Sequence, residues 1–149
     1  MGTYEHIDIK PLAMNVGAEI SGVDLREPNP DAVMEIKQAL IERKVLVFRD
    51  QDLTSHQYKI FMQSFGTPVK EDMIIDEGHP PEVGAIHIRP DERQQINFWH
   101  MDHSFRDFPT PILALYARLL PPVGGDTLFT SLEAAYDGLS SRIKESIEG

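Results

Sequence analysis

Apolar residues recur at helical spacing twice in the first half of the chain. Val33, Ile36, Leu40 and Ile41 follow Asn29-Pro30-Asp31, where Asn supplies a capping oxygen and Pro suits the first helical position. The spacing predicts a helix from there to about Lys44. The run Val45-Leu46-Val47-Phe48 is too short for another helix and apolar enough for a buried strand. Tyr58, Phe61, Met62 and Phe65 make the second apolar face, opened by the capping box Thr54-x-x-Gln57 and closed by Gly66. A stripe of this kind is core packing rather than a cofactor box. Upstream, residues 7–25 mix short alternating pieces with Gly17 and Gly22, which predicts two short strands and turns.

From residue 67 to 95 the pattern dissolves into prolines, glycines and charges, broken only by the short strand candidate Ala85-Ile86-His87-Ile88. An irregular stretch of that length in a compact domain is functional or mobile, and a lid is the expectation here. Strand patterns return at 96–103, 112–119 and 127–129. Thr130-x-x-Glu133 is another capping box, predicting a helix through about Leu139, and Ser140 or Ser141 caps a last one.

Composition narrows the partners. The 149 residues suffice for one domain with a core, and two are not expected. Fourteen Lys and Arg against 24 Asp and Glu leave a net charge of −10, which repels a phosphate backbone, so no nucleic-acid partner is expected. The absence of cysteine removes disulfides, thiolate metal sites and cysteine nucleophiles, so any metal takes nitrogen and oxygen ligands. With no leader-like amino terminus and no apolar window of membrane length, the expectation is a cytoplasmic protein without a membrane partner.

The chemistry-bearing residues concentrate in Asn97-Phe98-Trp99-His100-Met101-Asp102-His103-Ser104-Phe105. On a strand, His100 and Asp102 would share one face, with Trp99, Met101 and His103 on the other. An imidazole and a carboxylate aimed at one spot make two-thirds of the 2-His-1-carboxylate set that holds Fe(II) and leaves positions open. The spacing alone leaves two other readings open, a hydrogen-bonded structural histidine and a zinc hydrolase. Gly124-Gly125-Asp126-Thr127 alone reads as a turn before a strand. Trp99 and Met101 read as core, Arg118 as a solvated or salt-bridged strand end, and Asn97 as a substrate contact or a cap at the strand entry.

The segment 99–105, the step Pro109-Thr110-Pro111, the run 112–119 and Pro121-Pro122-Val123-Gly124-Gly125-Asp126-Thr127-Leu128-Phe129 together resemble the taurine dioxygenase (TauD/TfdA-type) family of Fe(II)- and 2-oxoglutarate-dependent oxygenases. The resemblance extends to residues 134–140, 17–25 and 47–51. It implies an α+β, mostly β fold: a double-stranded β-helix, or cupin-like jelly roll, with flanking helices, incomplete at the carboxyl end. It also implies His100 and Asp102 as iron ligands, Thr127 as a 2-oxoglutarate contact, and hydroxylation of an unactivated C–H bond by O2 with release of succinate and CO2. One aspartate and one co-substrate carboxylate would cancel the charge of Fe(II), which lowers the cost of holding it in a dry pocket.

The family's third ligand, a downstream histidine, and the arginine that follows it have no counterpart in the sequence. Residues 1–149 are therefore expected to be the amino-terminal part of a single oxygenase domain; the alternative is a catalytically inert fragment or binding module. Where taurine-using relatives carry a His, a Tyr and an Asn, this chain has Glu71, Ile74 and Ile96. A carboxylate at Glu71 would repel a sulfonate, which argues against taurine itself. Phe105 matches an aromatic that lines the substrate pocket. The expected substrate is a small sulfonate, sulfate ester or carboxylate, and a homo-oligomer is compatible with the resemblance.

Overall fold

The computed structural model describes residues 3–70, 78–89 and 97–148. Its elements, in chain order, are β1 (Asp8–Pro11), β2 (Ala18–Ser21), α1 (Pro30–Arg43), β3 (Leu46–Phe48), α2 (Ser55–Gln63), α3 (Leu132–Asp137) and α4 (Ser141–Glu148). They fall into two compact units, Met1–Asp52 with Pro121–Gly149, and Leu53–Leu120.

The first unit is built on a three-stranded sheet in the order β1-β2-β3, antiparallel between β1 and β2 and parallel between β2 and β3. A parallel pair needs a crossover, and α1 supplies it. Asn29 accepts from the Asp31 amide and Pro30 opens the helix, as the sequence predicts. The helix stops at Lys44, whose φ of 65° is left-handed and whose N–H bonds the Leu40 carbonyl. Ala32, Val33, Ile36 and Ala39 of α1 are buried, as are Ala18 and Ile20 of β2, and these form the core. The chain leading into β1 is tied down by Glu35, whose carboxylate accepts from the amides of Glu5, His6 and Ile7 at 2.8, 2.9 and 3.1 Å.

In the second unit α2 carries the predicted capping box, with Thr54 and Gln57 each bonding the other's backbone. Phe61 is buried and packs edge-on to Phe65 at 5.4 Å. Part of the irregular stretch is held against this helix rather than free of it. Lys59 pairs with Glu82 at 2.8 Å, and Ser55 hydrogen-bonds His79. Of the expected lid, residues 71–77 lie outside the described residues, as do 90–96.

Four segments expected as strands carry no strand ladder among the described residues: 85–88, the described part of 96–103, 112–119 and 127–129. The reason is visible at 112–116. Ile112, Ala114 and Tyr116 are half-buried and Leu113 and Leu115 exposed, so the two-residue alternation is present. A strand, however, also needs a neighbour whose N–H and C=O groups match its own, and no described segment supplies one. The small mixed sheet with helices is therefore less β-rich than expected. The third helix also starts one residue later than predicted. Ser131 rather than Thr130 caps it, accepting from the Ala134 amide at 3.1 Å, because Ser131 holds the extended backbone that a cap requires. The last helix opens after Ser140, as expected.

Candidate functional site

The two residues singled out as a pair do converge. His100 Nε2 lies 3.3 Å from Asp102 Oδ1, and both side chains are about half-exposed. The convergence has a different origin from the pleat of a paired strand. His100 Nδ1 sits 3.1 Å from the Phe98 carbonyl, and a carbonyl only accepts, so Nδ1 carries the hydrogen and donates it. That bond fixes the tautomer and points Nε2 at the carboxylate, which is how a ring nitrogen is prepared as a ligand. Asp102 begins a turn running to Phe105, so the chain reverses as soon as the pair is formed. With its hydrogen on Nδ1, the imidazole offers a lone pair at Nε2, and the carboxylate offers lone pairs in return. Lone pairs on two such atoms 3.3 Å apart can be shared by one cation. The donor types, one imidazole and one carboxylate, fit a divalent transition metal with open positions. No group of three or more His, Cys, Asp or Glu side chains that could hold a metal occurs among the described residues.

His103 has a left-handed backbone, at φ 56°, rather than the extended backbone of a strand. Its Nδ1 bonds Thr110 Oγ1 at 2.7 Å, tying the turn to the segment that follows. Trp99 and Met101, expected in the core, are instead 68% and 51% exposed, because no described segment packs on that side. Asn97 is exposed, directly after the undescribed residues 90–96, and Glu71 lies outside the described residues. Phe105 is 84% exposed, its ring edge-on to His103 at 6.2 Å. Thr127 is exposed and belongs to the first unit, whereas His100 and Asp102 belong to the second. The first unit also holds an open groove of about 400 Å³ between Met14, Asn15 and Val16 and Ser131, Ala134 and Ala135. It is lined by no titratable side chain and by none of the predicted site residues.

Two features escaped the sequence. Arg118 is exposed, as expected, but it also donates to the Leu53 carbonyl at 2.9 Å and lies 5.3 Å from the centre of the Tyr116 ring, while the Tyr116 hydroxyl accepts from the Leu53 amide at 2.9 Å. Both backbone groups of a buried residue are thus satisfied by side chains some 60 positions away, and no periodicity signals such a pairing. The second is Arg106, whose guanidinium carbon lies 5.8 Å from the centre of the Phe105 ring. Its only sequence signal is adjacency to Phe105.

Comparison with known proteins places the chain. An alkylsulfatase of Acinetobacter baylyi is 34% identical over 97% of this chain and 45% of its own length. The (S)-phenoxypropionate/alpha-ketoglutarate-dioxygenase of Sphingobium herbicidovorans is 30% identical over 95% of this chain and 50% of its own length. Among solved structures, that of AAD-2 in complex with Mn(II) and N-oxalylglycine superposes with a TM-score of 0.72 at 34% identity, covering 95% of this chain and 53% of that one. The chain therefore spans about half the length of the relatives it matches. Residues 8–149 match the family model described as taurine catabolism dioxygenase TauD, TfdA family. The chain is a member of the TauD/TfdA family.

Proposed function

We propose that the protein is an Fe(II)- and 2-oxoglutarate-dependent dioxygenase that hydroxylates an unactivated C–H bond of a small organic anion. The observation that carries this reading is the His100–Asp102 pair, with Nε2 and Oδ1 3.3 Å apart and Nδ1 committed to the Phe98 carbonyl. His100 and Asp102 would hold the metal. Thr127 would hydrogen-bond a carboxylate of 2-oxoglutarate, and Phe105, Asn97 and Glu71 would face substrate. Bound together, Fe(II) and 2-oxoglutarate supply the activation of O2, with succinate and CO2 as the co-products. The chain's own part is to fix the imidazole through a backbone carbonyl, to keep a carboxylate beside it, and to place an apolar surface next to both.

Residues 1–149 form, on this reading, the amino-terminal part of a single jelly-roll oxygenase domain working in the cytoplasm. The half-length coverage of the relatives supports it, as does the alternation at 112–116, which is the pattern of a strand whose neighbours come from the remainder of the barrel. Among the described residues no helix is long and apolar enough to cross a membrane. The relatives named above act on an alkyl sulfate and a phenoxypropionate, both anions with an apolar body, and we take the substrate here to be of that kind.

Anaerobic addition of Fe(II) and 2-oxoglutarate to the protein at its full natural length tests the reading. A visible charge-transfer band is expected in the wild type and lost in His100→Ala and in Asp102→Ala. No band in the wild type, with both variants folded, refutes the oxygenase and leaves a binding module.

A further inference from the structure

We propose that Thr110, through its bond to His103, is a positioning residue for the metal pair and holds the turn in which Asp102 stands beside His100; the inference rests on the oxygenase reading above. Thr110 Oγ1 lies 2.7 Å from His103 Nδ1, and His103 follows Asp102 directly in the chain. Whatever fixes the backbone of His103 therefore acts on Asp102 across a single peptide bond, which is planar and stiff. Two contacts do so: the Arg106 amide donates to the His103 carbonyl at 3.0 Å, closing the turn, and Thr110 holds the His103 side chain. The left-handed backbone of His103, at φ 56°, costs energy in a residue other than glycine and lasts only where neighbours enforce it.

Burial marks the same two residues. From 97 to 110 every residue is exposed except His103 and Thr110, which are half-buried, so the bond between them is better shielded from water than its surroundings. The anchor is also stiff. Pro109 fixes its own φ, and Pro111 confines Thr110 to extended backbone, so the hydroxyl is presented from a segment with little freedom of its own. The Phe98 carbonyl orients the imidazole half of the pair, and the His103–Thr110 clasp plays the corresponding part for the carboxylate half. A donor already held in place loses less freedom when it binds, so loss of the clasp should be felt as weaker metal binding.

The test uses the protein at its full natural length. Anaerobic Fe(II) titration at saturating 2-oxoglutarate, followed by the visible band, gives the Kd for the metal. Thr110→Val keeps the shape of the side chain and removes the hydroxyl; it should raise that Kd about two- to tenfold, the loss of one hydrogen bond. Thr110→Ala gives the same comparison should Thr110→Val not fold. Thr110→Ser keeps the hydroxyl and should stay within about twofold of the wild type. In a His103→Ala background Thr110→Val should have no further effect, because the bond is already gone. Exchange of the Arg106 amide in the metal-free protein should quicken in Thr110→Val, while exchange within α2 stays as it was. An unchanged Kd in Thr110→Val, even with a lower urea midpoint, makes the bond structural only and overturns the inference. A loss in Thr110→Ser equal to that in Thr110→Val, a Thr110→Val effect that persists without His103, or no metal bound by His103→Ala, which would make that imidazole a ligand, overturns it too. A band absent from the wild type overturns the oxygenase reading, and this inference with it.

Discussion

Replacing Tyr116 with Phe removes one oxygen and keeps the ring. That oxygen accepts the Leu53 amide at 2.9 Å, and Leu53 is only 2% exposed, so water cannot readily take its place. The ring stacks on Tyr58 with centroids 5.9 Å apart, a contact Phe preserves. The variant therefore isolates the cost of leaving one buried N–H without an acceptor, about 1–3 kcal/mol. If the same amide opens locally, its hydrogen exchange should accelerate by roughly fivefold to a hundredfold or more. Urea unfolding followed by circular dichroism measures the first quantity, and residue-resolved hydrogen exchange the second. Arg118→Met leaves the Leu53 carbonyl unbonded while keeping an unbranched apolar stem. Because both side chains serve one residue, the double variant should cost measurably less or more than the sum of the singles. An unchanged unfolding midpoint together with unchanged protection of the Leu53 amide in Tyr116→Phe would refute the clamp.

Three further outcomes are expected. Ser131→Ala should destabilise the protein by about 1 kcal/mol while Thr130→Ala changes little, the reverse of what the Thr-x-x-Glu pattern suggests, read from paired urea midpoints. Burial works to raise the Glu35 carboxyl, but its bonds from the amides of Glu5, His6 and Ile7 hold it below its ordinary 4.5; a depressed carboxylate stabilises above that value and loses the effect as pH falls, so the protection of amides 5–7 relative to their intrinsic exchange rates should drop below it in the wild type and at neutral pH already in Glu35→Gln. Burial pushes the Tyr58 phenol above its ordinary 10.0; a raised group stabilises fully below its unfolded value and loses that stability as pH climbs toward the folded one, so stability should decline above about pH 10 and decline less steeply in Tyr58→Phe.

The parts of this fold that could be read from the chain are those whose determinants lie close together in sequence. Asn29 and Pro30 start α1, Thr54 and Gln57 start α2, and the short strands around Gly17 and Gly22 form as the pattern predicts. What sequence could not give was partnership. The parallel pairing of β2 with β3 depends on α1 carrying the chain across, and hydrophobicity alone does not distinguish parallel from antiparallel neighbours. The cap at Ser131 was misplaced because both Thr130 and Ser131 carry a suitable hydroxyl, and backbone conformation chose between them. Glu35, Tyr116 and Arg118 act on backbone groups 28 to 65 residues distant, where no spacing rule applies.

The proposed site shows why one conclusion can hold when its reason fails. Strand alternation predicts that His100 and Asp102 face one way, and their side chains do meet, yet no described strand carries them. The Phe98 carbonyl orients the imidazole, the turn at Asp102 brings up the carboxylate, and the His103–Thr110 bond ties that turn to the segment beyond it. All three act within thirteen residues, Phe98 to Thr110. A pair specified so locally does not wait for a sheet to form, whereas residues 112–116 show the alternation of a strand without a ladder. The His100–Asp102 pair is therefore encoded by its own neighbourhood, and a fold-wide perturbation such as Tyr116→Phe should weaken the second unit without separating His100 from Asp102.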